Sequence, residues 1–332
     1  MQNAGYLLAE DIERIIRVQR ERVAPIFAKL KGASSQNVSK TTYTYKKAGD
    51  IEIKTDVYRS GDDSVRPVVM WIHGGALIMG NREGIDKRVR EMAANNGFIL
   101  VSIDYRLAPE TPLPDIISDI EDAFSWIHEK GPTLFRADTN RIAVAGGSAG
   151  GYLTLTAGYR AKPRPQALLS LWGYGDLIGD WYSKPSPHKR HHPRIVTREE
   201  ALKQISDSPI SDARLRKGNG GLFYLHCRQT GTWPEAVSGW DPRSESEKYF
   251  PYMPVKNVTA DYPPTVLIHG TEDTDVPHAQ STMMVEQFKK HGVEHRLFSI
   301  ENGEHGLGGG DPKAIENAYE EALEFLVVHL RK

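Results

Sequence analysis

The stretch that decides the fold reads Arg141-Ile142-Ala143-Val144-Ala145-Gly146-Gly147-Ser148-Ala149-Gly150-Gly151. An apolar run leads directly into Gly-x-Ser-x-Gly, and a helical pattern follows. The turn between such a strand and helix is so tight that positions two before and two after the serine must lack side chains, as Gly146 and Gly150 do. The pattern predicts that Ser148 presents its hydroxyl at the tip of a sheet and at the positive end of the next helix. The alternative is a glycine-rich strand-to-helix turn, such as one that binds phosphate.

Short apolar runs along the rest of the chain predict further strands. Six runs are continuous, as strands are when both faces of a parallel sheet are covered: residues 68–72, 98–103, 142–145, 167–171, 265–268 and 296–300. Helical patterns separate most of them, at residues 83–95, 115–129, 149–159, 278–290 and 312–330. Residues 41–45 and 51–58 alternate polar and apolar side chains around Gly49-Asp50, which indicates an antiparallel hairpin. The sequence therefore predicts an α/β fold with a mostly parallel, doubly wound sheet.

Residues 173–263 interrupt this alternation, since they contain no clear strand and are rich in Pro, Gly, Ser and aromatic residues. We predict that they form a lid or cap inserted into a core of residues 36–172 and 264–332. The insertion should cover the carboxyl edge of the sheet, where open α/β sheets bind ligands. Residues 1–35 form a helical segment in this scheme, and they could contribute to the lid, to a homodimer interface or to neither.

Composition excludes several classes of protein. Hydrophobic residues make up 39% of the chain and charged residues 26%, which excludes a disordered or membrane-spanning protein. The net charge of −1 offers no general attraction for nucleic acid or an anionic bilayer. The single cysteine, Cys227, cannot form an internal disulfide, which suits a reducing compartment. Because the amino terminus shows no export signal and no 18-residue apolar run exists, we expect a cytoplasmic protein without a membrane span.

A serine nucleophile needs a base that an acid orients, and in this architecture the chain order is serine, acid, histidine. The run 265–268 is followed by His269-Gly270-Thr271-Glu272-Asp273-Thr274-Asp275-Val276-Pro277, and the run 296–300 by Glu301-Asn302-Gly303-Glu304-His305-Gly306. Asp273 is the predicted acid, with Asp275 and Glu272 as rivals. His305 is the predicted base. His73 and His269 also follow strands, but they precede glycines and are interpreted as structural turn residues.

The third requirement is a pair of backbone N–H groups that face the developing oxyanion. The run 68–72 ends in His73-Gly74-Gly75-Ala76-Leu77, where glycines let the backbone approach a substrate closely. We assign the predicted oxyanion hole to the N–H groups of Gly75 and Ala76, together with that of Ala149 after the nucleophile. An ordinary glycine-rich turn would explain this loop in isolation, but not its combination with the other three motifs.

Together these motifs resemble the α/β-hydrolase superfamily, and within it the hormone-sensitive-lipase-like carboxylesterases. The resemblance also includes the segment Asp104-Tyr105-Arg106-Leu107-Ala108-Pro109-Glu110, which in that family buttresses the loop near the oxyanion hole. It implies the α/β-hydrolase fold, the triad Ser148, Asp273 and His305, and no cofactor.

Two positions depart from the usual pattern, since Ala76 replaces a third glycine and Gly147 replaces a common aspartate. Neither change removes a backbone N–H. Lids in that family draw heavily on the amino-terminal segment, whereas here a long insertion follows the sixth core strand. This arrangement resembles other branches of the superfamily, including ferulic-type esterases and peptidase-like hydrolases.

Four residues beside the predicted site are candidates for binding the substrate: Leu77, Tyr152, Trp172 and Tyr174. The aromatic residues of the insertion could line an apolar acyl or aryl pocket, or could form the insertion's own core. A second feature is the segment between Asp180 and Glu199, which carries five Lys or Arg and three His but no acidic residue. It could attract an anionic substrate, bind a metal or be a solvated loop, and we predict a solvated loop and no metal site.

The leading functional hypothesis is a serine hydrolase acting on small-molecule carboxylic esters. An amidase, formamidase or peptidase would use the same triad. A non-catalytic small-molecule receptor on a hydrolase scaffold is a third hypothesis, but such receptors typically lack a triad member, whereas all three are present here.

Overall fold

The computed structural model of the protein describes residues 38–332. The predicted amino-terminal helical segment, residues 1–35, lies outside the described residues. In the described part, eight strands form one sheet with the order β1-β2-β4-β3-β5-β6-β7-β8. The strands are β1 Val38–Ala48, β2 Ile51–Ser60, β3 Arg66–Ile72, β4 Ile99–Ile103, β5 Ala137–Gly147, β6 Ala167–Leu171, β7 Thr265–Gly270 and β8 His295–Ile300.

The sheet has the predicted mixture of strand directions. β1 pairs antiparallel with β2 and β2 antiparallel with β4, while all the other neighbours are parallel. Gly49 and Asp50 connect β1 to β2, and Gly49 has a φ of +60°, which glycine adopts without strain. The predicted α/β-hydrolase fold with an antiparallel amino-terminal hairpin is therefore confirmed.

Helices cover both faces of the sheet. They are α1 Lys87–Asn95, α2 Leu113–Phe135, α3 Ala149–Arg160, α4 Asp180–Ser183, α5 Arg198–Leu202, α6 Gly221–Thr230, α7 Trp233–Ser238, α8 Ala279–His291 and α9 Pro312–Leu330. Side chains of successive residues in β3 point to opposite faces, so Met70 belongs to one core and Trp71 to the other. α2, α3 and α8 pack in the first core, and α1 and α9 pack in the second.

Two helices have boundaries that differ from the predicted ones for local reasons. The helix predicted from residue 83 begins at Lys87, because the side chain of Asp86 accepts hydrogen bonds from the N–H groups of Arg88 and Val89 and caps the first turn. The helix predicted over 115–129 begins two residues earlier, behind Pro112, and continues to Phe135. Its carboxyl end is longer because Phe135 is buried against the core, so the helix continues through Gly131 and Pro132.

The segment between β6 and β7 contains four α-helices, α4 to α7, and short 3₁₀ helices, including one at Lys189–His191. Its buried side chains, among them Tyr182, Trp233 and Tyr249, belong to the same hydrophobic core as α2 and α3. The segment is thus packed onto one face of the sheet through a continuous apolar contact. The division into core and insertion at residues 173 and 263 stays a prediction.

Candidate active site

Parallel pairing brings the four predicted loops to one edge of the sheet. Ile72 at the end of β3 is in register with Gly146 of β5, and Gly147 is in register with Leu171 of β6. Gly270 at the end of β7 pairs with Ile300 of β8. Because the carboxyl ends of these strands coincide, the loops that follow β3, β5, β7 and β8 meet above the sheet.

The turn between β5 and α3 has the geometry that the glycine pattern predicts. Ser148 lies in the left-handed region with φ 57° and ψ −122°, a costly conformation for a residue with a side chain. A Cβ atom on Gly146 would lie 2.3 Å from the carbonyl oxygen of Gly150, and one on Gly150 would lie 2.0 Å from that of Ile72. Both glycines are therefore required by close backbone approach. The turn leaves the Ser148 side chain partly exposed at the start of α3.

The structure brings Ser148, His305 and Asp273 into one hydrogen-bonded series. His305 Nε2 lies 3.0 Å from Ser148 Oγ, and His305 Nδ1 lies 2.7 Å from Asp273 Oδ2. With Nδ1 protonated toward the carboxylate, Nε2 is free to accept the serine proton. The His305 side chain is 14% exposed and that of Asp273 fully buried, so the base lies between solvent and its acid.

Asp273 is held by several donors at once. Its Oδ1 accepts the backbone N–H groups of Asp275 at 2.9 Å and Val276 at 2.8 Å. Its Oδ2 faces His305 and also lies 3.3 Å from His269 Nε2. Burial alone would raise the pKa of this carboxyl, but the hydrogen bonds from His269 and His305 outweigh it and lower the pKa to about 2. Asp273 is therefore a fixed carboxylate at neutral pH.

The rival residues occupy different positions. Glu272 is exposed, and Asp275 faces Nε2 of His305 rather than Nδ1, with Oδ2 at 3.7 Å.

His269 is fully buried, with Nδ1 2.7 Å from Ser281 Oγ and Nε2 2.9 Å from the carbonyl of Val276. His73 stacks on Tyr105 at a centroid distance of 4.2 Å, and burial lowers its pKa to about 4. Both histidines thus take the structural positions expected of them.

The loop after β3 has an unusual backbone conformation. Gly75, Ala76 and Leu77 have φ values of 114°, 56° and 63°, and the latter two carry side chains. Strain of this kind in consecutive residues persists only where the surroundings impose it, and it is concentrated at functional sites. Among residues 38–332, no acceptor pairs with the N–H groups of Gly75, Ala76 or Ala149. Their role as an oxyanion hole stays a prediction.

Contacts from the insertion support this loop. Trp233 Nε1 of α7 donates a hydrogen bond of 3.0 Å to the carbonyl oxygen of Ala76. Arg216, also from the insertion, donates to the carbonyl oxygens of Ile78 and Ala108 and pairs with Glu110. The Arg216 and Glu110 side chains are 0% and 3% exposed. The buried pair connects the insertion to the loop that bears the predicted oxyanion donors.

The segment that begins at Asp104 supports the same loop from the core side. Ala108 N–H donates to the carbonyl of Leu77 at 2.8 Å, and the Tyr105 hydroxyl donates to the carbonyl of His73 at 3.0 Å. Arg82 binds the buried Asp104. Burial raises the pKa of the Asp104 carboxyl to about 6, although the hydrogen bonds from Arg82 act to lower it. The segment thus has the buttressing position that the resemblance implies.

The four candidate substrate-binding residues lie close to the site but differ in exposure. Trp172 is half-buried, with its ring edge-on to His305 at 6.2 Å. Leu77, Tyr152 and Tyr174 are fully buried. Tyr152 stacks on Tyr174 at 4.9 Å, and its hydroxyl donates to the carbonyl of Tyr252. Their contact with substrate stays a prediction.

The aromatic residues at the start of the insertion form a packed cluster around Tyr174. Tyr182 stacks on Trp181 at 3.6 Å and on Trp233 at 3.8 Å, and the edges of these rings face Tyr174. Because Tyr174, Tyr182 and Trp233 have at most 2% of their surface exposed, this cluster belongs to the hydrophobic core that the insertion shares with α2 and α3 rather than to an open pocket wall.

The basic segment of the insertion is only partly the solvated loop that we predicted. His191 is 2% exposed, with Nε2 2.8 Å from Asp275 Oδ1 and Nδ1 2.7 Å from Ser186 Oγ. Arg190 Nη1 lies 2.7 Å from Glu304 Oε2. The prediction is wrong for His191, which is buried against a carboxylate distant in sequence. Arg190 is exposed, as a solvated loop residue is, but it pairs with Glu304 of the loop after β8.

Sequence reasoning missed the contacts between the insertion and the loops at the carboxyl edge of the sheet. Trp233 and Arg216 were not singled out as site residues, since nothing in their local pattern shows which loop they reach. One usable signal was present. A basic segment without acidic residues and an acid loop with three carboxylates, Glu272, Asp273 and Asp275, are complementary in charge.

Within residues 38–332, no three side chains of His, Cys, Asp or Glu are grouped so that they could hold a metal ion. Over the same residues, no helix is both long enough and apolar enough to cross a bilayer.

Comparisons with known proteins agree with the architecture. The family described as alpha/beta hydrolase fold matches residues 69–308. The chain is similar to the non-reducing polyketide synthases trt4 of Aspergillus terreus, with 29% identity over 92% of the chain, and Preu3 of Preussia isomera, with 27% over 88%. It spans only 15% and 13% of the length of these relatives, so it corresponds to one part of them.

Solved structures show the same fold. The esterase LipW from Mycobacterium marinum is 21% identical with a TM-score of 0.62, covering 98% of this chain and 92% of that one. An esterase from Pyrobaculum calidifontis is 23% identical with a TM-score of 0.61, covering 96% and 93%. An alpha/beta hydrolase superfamily protein from Enterococcus faecalis is 20% identical with a TM-score of 0.67, covering 87% and 98%. At these identities the likeness concerns the fold.

Proposed function

Because the chain belongs to the α/β-hydrolase family, we propose that it is a serine hydrolase that cleaves carboxylic esters of small to medium acyl or aryl substrates. The observation that carries the proposal is the series from Ser148 Oγ through His305 to Asp273, with distances of 3.0 and 2.7 Å. Both lie within the range that proton transfer needs. The esterase structures that share the fold support the same reaction class.

In the acylation half-reaction, Ser148 Oγ attacks the acyl carbon and His305 Nε2 takes the hydroxyl proton. The carbonyl oxygen becomes an oxyanion, which the N–H groups of Gly75, Ala76 and Ala149 stabilise. The buried Asp273 carboxylate keeps the imidazole in the correct tautomer and stabilises the imidazolium. The tetrahedral intermediate then expels the alcohol, which receives the proton from Nε2, and an acyl-enzyme remains.

Deacylation repeats these steps with water. His305 Nε2 takes a proton from the attacking water, the second tetrahedral intermediate forms in the same oxyanion hole, and Ser148 leaves with the proton returned from Nε2. The carboxylic acid is released and the free enzyme is restored. No metal or cofactor takes part in these reaction steps.

The direct test is hydrolysis of p-nitrophenyl esters of graded chain length by wild type and Ser148→Ala. We expect the variant to fold normally and to lose at least about 10⁴-fold in kcat, because a triad that lacks its nucleophile retains little of its rate enhancement. Ser244→Ala, at an exposed serine of the insertion, is the matched control and should retain full activity. Near-normal turnover by Ser148→Ala would overturn the proposal.

A second candidate substrate class is the acyl thioester, and the polyketide synthase relatives favour it, because the chain matches one portion of them along most of its own length. A thioester would be attacked by the same serine and would expel a thiol. Amides form a third class, in which the leaving nitrogen must be protonated in place. Comparing kcat/KM for an oxygen ester, a thioester and an anilide of one acyl group separates the three.

A further inference from the structure

A second carboxylate faces His305 from the side opposite the triad acid. Asp275 Oδ2 lies 3.7 Å from His305 Nε2, the atom that exchanges the proton with Ser148. The distance is too long for a hydrogen bond but well within the range of a direct charge interaction. The Asp275 side chain is 13% exposed, so solvent screens this interaction only in part.

Asp275 is held in this position by the insertion. His191 Nε2 lies 2.8 Å from its Oδ1, and the Tyr224 hydroxyl donates to the same oxygen. Arg228 Nη1 donates to the backbone carbonyl of Asp275 at 3.0 Å and lies 3.5 Å from Oδ1. His191 and Arg228 are each 2% exposed. The carboxylate is therefore oriented by three buried side chains that belong to another part of the chain.

The environment keeps Asp275 ionised. Burial by itself would raise the pKa of this carboxyl. The hydrogen bond from His191 and the electrostatic interactions with His305 and Arg228 outweigh burial and lower the pKa well below its usual range. Burial lowers the pKa of His191, against the effect of Asp275. Among the three side chains that orient Asp275, Arg228 is therefore the one with a permanent charge.

One further pair of charges borders His305. Glu304 Oε2 accepts the backbone N–H of His305 at 2.8 Å. Arg190 Nη1 lies 2.7 Å from the same Glu304 oxygen, and Arg190 Nη2 lies 3.8 Å from Asp275 Oδ2. Arg190 thus reaches from the insertion to both carboxylates and reduces their combined negative field at the imidazole.

We infer that Asp275 is a positioning residue whose charge stabilises the protonated form of His305, and that the insertion controls this effect through Arg190, His191, Tyr224 and Arg228. The inference rests on the proposed function, since His305 must act as the base. During attack the imidazole gains a proton and faces Asp273 at Nδ1 and Asp275 near Nε2. Loss of the contacts from His191 or Tyr224 that orient Asp275 would weaken the base even though the triad hydrogen bonds stay intact, whereas loss of Arg190 would strengthen it.

Two substitutions of opposite sign separate this role from a structural one. Asp275→Asn keeps the shape and the acceptor oxygen but removes the negative charge. Without that charge the imidazole gives up its proton more readily, so the acid limb of the kcat/KM profile moves to lower pH, by about 1 unit. Arg190→Gln removes a positive charge and should move the limb to higher pH, by less because Arg190 is 37% exposed.

The experiment measures kcat and KM for a p-nitrophenyl ester between pH 4 and 9 in wild type and these variants. For Asp275→Asn we expect kcat to fall about tenfold with KM within about twofold, since the lost interaction acts on the imidazolium that forms during attack. Asp261→Asn and Arg214→Gln, which alter exposed ion pairs elsewhere, are the matched controls and should leave the limb unmoved.

Each outcome has a definite meaning. Limbs that move in opposite directions support the inference, whereas limbs that stay within 0.2 pH units of wild type, or that move in the same direction, overturn it. If Asp275→Asn does not fold, Tyr224→Phe takes its place: it removes a donor that orients Asp275 and should move the limb to lower pH, whereas replacement of the exposed Arg190 should still move it to higher pH. Loss of activity in Ser148→Ala beside unmoved limbs would overturn only this inference, while an active Ser148→Ala would overturn the proposed function itself.

Discussion

Replacing Trp233 by phenylalanine tests whether the insertion supports the oxyanion loop. Trp233 is fully buried, stacks on Tyr182 at 3.8 Å and donates its indole N–H to the carbonyl oxygen of Ala76. Phenylalanine keeps a stacked ring but removes the donor. The carbonyl of Ala76 is then left without this partner, and the φ of 56° at that residue loses one of the contacts that impose it.

The magnitude follows from these contacts. A buried carbonyl deprived of its hydrogen bond costs about 1–3 kcal/mol, and the smaller ring leaves a void that costs about 1 kcal/mol more. We therefore expect the free energy of unfolding to fall by about 2–4 kcal/mol, measured by urea denaturation with an unchanged m-value. Because the oxyanion donors act mainly in the transition state, kcat should fall about tenfold while KM changes little.

Trp240→Phe is the matched control. Trp240 also lies in the insertion, but its ring packs against Tyr249 and Tyr252 rather than against the oxyanion loop. It should lose about 1 kcal/mol of stability or less and keep the wild-type kcat. The reasoning would be refuted if Trp233→Phe lost stability but kept a wild-type kcat, since the indole would then serve packing alone.

Three further predictions concern buried charges. Asp273→Asn should lower kcat about 10⁴-fold in ester turnover at pH 7, because the amide favours the wrong imidazole tautomer; a loss below tenfold would remove Asp273 from the triad. The lowered pKa of Asp273, about 2, means that its contribution to stability is complete above the unfolded value near 4 and disappears as the pH falls through 2. The difference in unfolding free energy between wild type and Asp273→Asn should therefore shrink by about 2 kcal/mol from pH 6 to pH 2, and a constant difference would contradict this. Arg216→Met should cost about 3–5 kcal/mol of unfolding free energy, because it leaves the buried Glu110 unpaired; adding Glu110→Gln should recover part of that loss, and a double variant no more stable than Arg216→Met would argue against the pair.

Much of the fold could be predicted because local pattern and tertiary structure agree. Strands covered on both faces, such as β3 and β6, are continuous apolar runs, and all their residues except Arg66 are fully buried. The order of the loops along the chain, together with parallel strand direction, was sufficient to name residues that lie within hydrogen-bond distance of one another. The resemblance to the α/β-hydrolase superfamily is confirmed.

The contacts of the insertion could not be predicted in the same way. Trp233 reaches Ala76 across 157 positions of sequence, and His191 reaches Asp275 across 84. Such contacts depend on how a helical segment packs against loops from other strands, which has no periodic signature in the chain. Aromatic composition alone also did not distinguish a pocket wall from a core, and the burial of Tyr174 and Tyr182 is a consequence of tertiary packing.

The most direct measurement of the central claim is the location of a covalent adduct. Wild type is treated with a fluorophosphonate, digested and sequenced by tandem mass spectrometry, in parallel with Ser148→Ala and His305→Ala. We predict one adduct per chain, on Ser148, absent from Ser148→Ala and formed far more slowly in His305→Ala. An adduct on another residue, or unchanged labelling of Ser148→Ala, would contradict the account.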